Sequence, residues 1–171
     1  MSSIGSIRFI WPTGPVAKTG SVLAEAEIRE IVDRETRAWD RQDIELLLSV
    51  FHPDMVWPWP RTYTSVDPME WQLTMGRFDA QRWRRVYEDL FSRYELVHNR
   101  RSIAKIEISA EADGAIAVVD IDTLWRDRAT GDKSNHWLGR TCKVYALVSG
   151  EWKMTMHTGV LEYPYSAAKL D

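Results

Sequence analysis

Apolar residues Ala24, Ile28, Ile31, Val32 and Trp39 recur at helical spacing, while Glu25, Glu27, Arg29, Glu30, Arg34 and Arg37 take the other side. This pattern predicts an amphipathic helix over residues 22–42. Asp43 can cap a second, short helix over 44–51, which His52-Pro53-Asp54 breaks. Asp67-Pro68 opens another, with Asp as cap and Pro in the first helical position, and Gly76 closes it. Asp79 caps a further helix whose stripe is Trp83, Val86, Tyr87, Leu90, Phe91 and Tyr94. After Tyr94 the period becomes two. Four strands are predicted, over 95–110, 115–126, 135–148 and 151–162. Asp113-Gly114, a longer loop around Thr130-Gly131-Asp132, and Ser149-Gly150 join them. Connections this short make neighbouring strands antiparallel. The fold class is α+β, with three to four N-terminal helices packed on an antiparallel sheet.

Met55-Val56-Trp57-Pro58-Trp59-Pro60 stands apart from both patterns. Two prolines exclude a central strand, because each removes a ladder donor. They hold the backbone extended, so Trp57 and Trp59 point the same way, as at a sheet edge or a cavity rim.

Composition narrows the function classes. The 171 residues carry a net charge of −3, and 44% are hydrophobic. This fits one folded domain and disfavours partnership with nucleic acid or an anionic membrane. A single cysteine, Cys142, excludes an internal disulfide and a thiolate metal cage, and it points to a reducing, cytoplasmic setting. No apolar run reaches membrane-spanning length. Residues 1–20 hold two bases and no acid, and Phe9-Ile10-Trp11 is too short for a signal core, so they read as a loosely ordered arm. No phosphate loop, dinucleotide fingerprint or nucleophile elbow is present, and no cofactor is expected. The four histidines are too far apart for a metal signature, although a site from His136, His157 and Asp122 is geometrically conceivable.

Three stretches carry a family resemblance. They are the amphipathic helix followed by Asp43-Ile44-Glu45-Leu46-Leu47-Leu48-Ser49-Val50-Phe51-His52-Pro53-Asp54-Met55-Val56-Trp57, the helix-rich middle at 67–94, and Gly150-Glu151-Trp152-Lys153-Met154-Thr155-Met156-His157. Together they resemble the nuclear-transport-factor-2-like superfamily, which includes ketosteroid isomerase and SnoaL-type polyketide cyclases. The resemblance implies a cone-shaped fold with a strongly curved sheet over 21–163, flanked by the arm and a tail at 164–171. It also implies that alternate positions on the last strand, here Thr155, His157 and Gly159, line a pocket. Fold alone does not choose among the isomerases, cyclases, dehydratases and binding domains of the superfamily.

Alternation sorts the strand residues into two faces. With Asp122 paired to Arg140, one face carries Glu107, Val118, Asp120, Asp122, Leu124, His136, Leu138, Arg140, Cys142, Val144, Thr155 and His157. The other carries Ile106, Val119, Ile121, Trp125, Trp137, Tyr145, Trp152, Met154 and Met156. The expectation is that the mixed face lines the cavity and the aromatic face is buried in a homodimer. On that reading His157 and Asp122 move protons, Arg140 stabilises negative charge and Asp120 tunes its neighbour. Trp57, Trp59, Tyr63, His136, Cys142 and Thr155 would contact a hydrophobic ring or carbonyl substrate. Two alternatives stay open. The charged residues can be a solvated ladder of cross-strand pairs over an aromatic core. The protein can equally be a non-catalytic ligand-binding or association domain. Arg100-Arg101 reads as the guard of an edge strand.

Overall fold

The computed structural model describes residues 15–59, 67–73, 79–133 and 135–160. Among these, α1 (Pro15–Arg41), α2 (Ile44–Val50), β1 (Phe51–Val56), α3 (Ala80–Arg93), β2 (Tyr94–Ile108), β3 (Gly114–Asp127), β4 (His136–Val148) and β5 (Glu151–His157) follow in chain order. The five strands form one sheet, in the order β1-β5-β4-β3-β2. β2 to β5 are an antiparallel meander, whereas β1 pairs parallel with β5, so the sheet is mixed. β1 is an edge strand and contains Pro53, which an edge tolerates.

The local signals act where the sequence places them. Asp43 Oδ1 accepts from the Leu46 N–H at 3.0 Å, and Asp79 Oδ1 from the Arg82 N–H at 2.7 Å. α1 begins at Pro15, upstream of the amphipathic pattern. Asp67 caps only a 3-10 turn, Pro68–Glu70, after which Trp71 is extended, and Gly76 lies outside the described residues. Ser149 and Gly150 have φ of 53° and 82°, the geometry of a two-residue hairpin turn. The β2–β3 connection differs from the expected Asp113-Gly114 turn. Ile108 pairs with Ala115, and the Ser109 hydroxyl accepts from the Asp113 and Gly114 N–H groups at 3.1 and 3.0 Å.

Two corrections decide which face the helices cover. Asp120, rather than Asp122, is opposite Arg140, and Asp122 is opposite Leu138. A shift of two residues leaves both aspartates on their face. That face is the outer one. Val119, Ile121, Trp125, Tyr145, Trp152 and Met154 form the buried side under the helices. The aromatic residues on which the expected dimer face rested are therefore the core. Trp39 of α1 sits at its centre, edge-on to Trp57, Tyr87, Phe91, Trp125 and Trp137 at centroid distances of 5.6 to 6.4 Å. Among the described residues, no helix is long and apolar enough to cross a membrane.

Candidate functional site

The aromatic interior encloses a cluster of charges. Glu35 lies on the buried stripe of α1, one turn from Ile31 and Trp39, and Lys143 lies on the inner row of β4 between Thr141 and Tyr145; both are fully buried. Lys143 Nζ donates to Glu35 Oε2 at 2.5 Å. Arg101 of β2, whose side chain is buried, donates to Glu35 Oε1 at 3.0 Å, and the Trp39 indole donates to the same oxygen at 3.2 Å. Two cations on one carboxylate leave the cluster with a surplus positive charge. Burying such a set costs several kcal/mol per ion before the mutual attraction offsets it.

Burial and charge set the protonation states. Burial alone would raise the Glu35 pKa, but Lys143 and Arg101 outweigh it and bring it down to about 2. Burial lowers the Lys143 pKa to about 8, against the opposing pull of Glu35. Burial, helped by the Lys143 charge, pushes His157 down to about 3, so its imidazole is neutral near pH 7.

His157 is opposite Lys143 in the β4–β5 ladder. Its Nδ1 faces the Thr158 carbonyl. A carbonyl only accepts, so Nδ1 carries the hydrogen and Nε2 keeps the basic lone pair. The ring stacks on Trp57 at 4.5 Å, and Trp57 meets Trp59 at 4.9 Å. Around the cluster, the Tyr87 and Tyr145 hydroxyls and the Trp59 and Trp125 indole N–H groups are buried without a hydrogen-bond partner among the described residues. Both phenols are held protonated by burial and by the Glu35 charge. Buried donors without partners are rare, and each needs an acceptor.

The residues expected to converge are divided between the two faces. Arg140 holds Asp120 through two hydrogen bonds, at 2.6 and 2.9 Å, on the outer face. Asp122 and His136 are on that same face, joined by His98. Only His157 turns inward. The reason is a bulge in β5, where Met154 and Met156 face the adjacent residues Tyr145 and Val144 of β4: Thr155 is the extra residue, and every position after it changes face. Thr155 itself donates to the Val144 carbonyl at 3.3 Å, while Met156 is exposed on the outside. Trp57 does stack on His157, and Trp59 packs on the neighbouring Trp57. Cys142 is half-buried on the outer face, its N–H donating to the Thr158 hydroxyl at 2.9 Å. Tyr63 lies outside the described residues.

Glu35, Arg101 and Lys143 escape the sequence reading because charged residues on an apolar stripe read as surface. Arg101 separates from Arg100, which is solvent-exposed and points outward. A signal was present for Lys143: strict alternation puts it in the row of Trp137, Thr141 and Tyr145.

The family profile described as a SnoaL-like domain matches residues 20–158. The chain belongs to the SnoaL-like domain family. Within the wider nuclear-transport-factor-2-like superfamily, this SnoaL-like domain is similar in fold to a ketosteroid isomerase-like protein from Erwinia carotovora atroseptica SCRI1043. That match has 16% identity and a TM-score of 0.63, covering 81% of this chain and 96% of that one. A conserved protein from Planctomyces limnophilus DSM 3776 is similar at 17% identity and a TM-score of 0.64, with coverage of 81% and 96%. An NTF2-like protein from Pseudomonas putida KT2440 is similar at 17% identity and a TM-score of 0.55, with coverage of 87% and 94%. No curated protein matches the chain. At these identities the likeness is one of fold.

Proposed function

We propose that the SnoaL-like domain is an acid–base enzyme of isomerase, cyclase or dehydratase type, acting on a small hydrophobic ring or carbonyl compound bound against the aromatic interior. The observation that carries this reading is the buried Glu35–Arg101–Lys143 cluster, with its surplus positive charge, beside the neutral imidazole of His157. His157 Nε2, free of a proton at neutral pH but a weak base at a pKa of about 3, takes a proton from carbon next to a carbonyl. The electron pair moves onto the carbonyl oxygen, and the resulting enolate is stabilised by the Lys143 and Arg101 charges. The same proton returns to another carbon, or to a leaving hydroxyl. Glu35 holds both cations in place. Trp57 and Trp59 offer a flat apolar wall, and the unpartnered Tyr87 and Tyr145 hydroxyls are donors for ligand oxygens.

The test is deuterium exchange at the α-carbon of a panel of cyclic ketones, followed by NMR, with ligand binding followed by tryptophan fluorescence. The expected result is protein-dependent exchange that falls by about a hundredfold or more in His157→Gln and in Lys143→Met. Binding without exchange would leave the ligand-binding role and remove the enzymatic one. Absence of both would end this reading.

A further inference from the structure

The outer face of the sheet carries a second constellation that the interior chemistry does not use. His98 of β2 and His136 of β4 flank Leu124 on one rung of the ladder, and Asp122 projects from the same face two residues along β3. The Nε2 atoms of both histidines lie 2.7 Å from the same carboxylate oxygen, Asp122 Oδ1. The two rings are nearly perpendicular, at 89°, so their nitrogens converge instead of the rings stacking. One ligand atom from each of the three residues falls within 4.8 Å of the other two.

We propose that His98, Asp122 and His136 form a binding site for a divalent transition-metal ion of the zinc type. The donor set is two imidazole nitrogens and one carboxylate oxygen, which suits such ions and is poor for calcium or magnesium, whose sites are built from oxygens. The three residues sit on three adjacent strands, so backbone pairing fixes their spacing before any ion arrives. Arg100 approaches the other oxygen, Asp122 Oδ2, at 3.7 Å. This contact leaves Oδ1 as the ligand and orients the carboxylate. The side chains of His98 and His136 are 28% and 37% exposed, so water can reach the fourth position of a tetrahedral ion. The ion would take the place of the two Nε2 hydrogens now shared by Oδ1, each imidazole being neutral, ligating through Nε2 and carrying its hydrogen on Nδ1. This site is independent of the interior cluster, and its test does not read turnover.

The experiment is titration of chelator-treated protein with zinc by calorimetry near neutral pH, with cobalt as a spectroscopic substitute. The expected result is one ion per chain, a tetrahedral cobalt absorption band, and affinity at least about tenfold weaker in His98→Ala, His136→Ala and Asp122→Asn. His157→Gln and His52→Ala, which alter the other two histidines, should bind as the parent does. Calcium should not compete. Circular dichroism of each variant separates loss of a ligand from loss of the fold. Binding weaker than about 1 mM would overturn the proposal. So would full affinity in folded His98→Ala or His136→Ala, or an endpoint of half an ion per chain, in which two copies share the metal.

Discussion

Glu35 and Asp120 are each held by an arginine, one inside the sheet and one outside. By geometry the outer pair is better: Arg140 grips Asp120 with two hydrogen bonds, whereas Arg101 reaches Glu35 with one. Their surroundings reverse the ranking. Glu35 is fully buried and shares its charge with Lys143, while the Arg140 side chain is one-third exposed and water competes for it. In the interior each charge exists only because of the others, so removing one strands the rest. On the outer face Asp120 is also buried, but the Arg140 side chain is open enough for water to hydrate it once Asp120 is gone. Burial, more than hydrogen-bond count, decides what these pairs do for the fold.

The largest consequence concerns stability. Glu35→Ala leaves Lys143 and Arg101 buried without an anion and should cost about 3–5 kcal/mol in denaturant unfolding. Asp120→Ala leaves a partly exposed Arg140 that water can reach, and should cost less, about 1–2 kcal/mol. Equal losses would break the comparison.

The next effect is on pH dependence. His157 has a folded pKa of about 3 against an ordinary value of 6.5, so between these the unfolded chain binds more protons. Its contribution to stability is present above the ordinary value and is lost as pH falls through about 3. Glu35, lowered from 4.5 to about 2, acts in the same direction over a more acidic window. Stability should therefore fall steadily on acidification from about pH 6.5, at up to about 1.4 kcal/mol per pH unit for each proton taken up. His157→Gln should flatten the upper part of that slope. A flat profile in the parent would mean that His157 is not held neutral.

Salt sharpens the contrast further. A double-mutant cycle on Asp120 and Arg140 should give a coupling of about 1 kcal/mol that shrinks in concentrated salt. The Glu35–Lys143 coupling should hardly change, because ions cannot enter to screen it. Smallest of all, Glu95→Ala removes an outer partner of Arg126 whose two side chains are 43% and 44% exposed, and should alter stability by no more than about 0.5 kcal/mol.

The fold was legible in the chain, and the reasons are local. Asp43 and Asp79 cap helices within three residues of themselves, Ser149-Gly150 supplies its own turn geometry, and alternation marks the strands. The interior cluster was not legible in the same way. Lys143 finds Glu35 across 108 positions of sequence, so no window along the chain contains both. The choice between the two faces was also hidden, since Val118, Leu124, Leu138 and Val144 make the outer face partly apolar as well. A charged residue on a buried stripe is then indistinguishable by pattern from one facing water. The Asp120–Arg140 pair shows the converse: pattern gave the shared face, and a register offset of two residues left it intact.

The extra residue in β5 has a consequence for parity. Thr155 occupies a step of the chain that has no counterpart on β4, so the ladder beyond it runs as though the strand were one residue shorter. Deleting Thr155 would therefore leave His157 opposite Lys143 and merely straighten the strand. A relative shorter by that single residue would hold the same imidazole in the same place, and an ungapped comparison of the two chains would set it on the opposite side of the sheet. Near this rim, the face a side chain occupies depends on how many residues precede it, and a change in length can matter more than a change in kind.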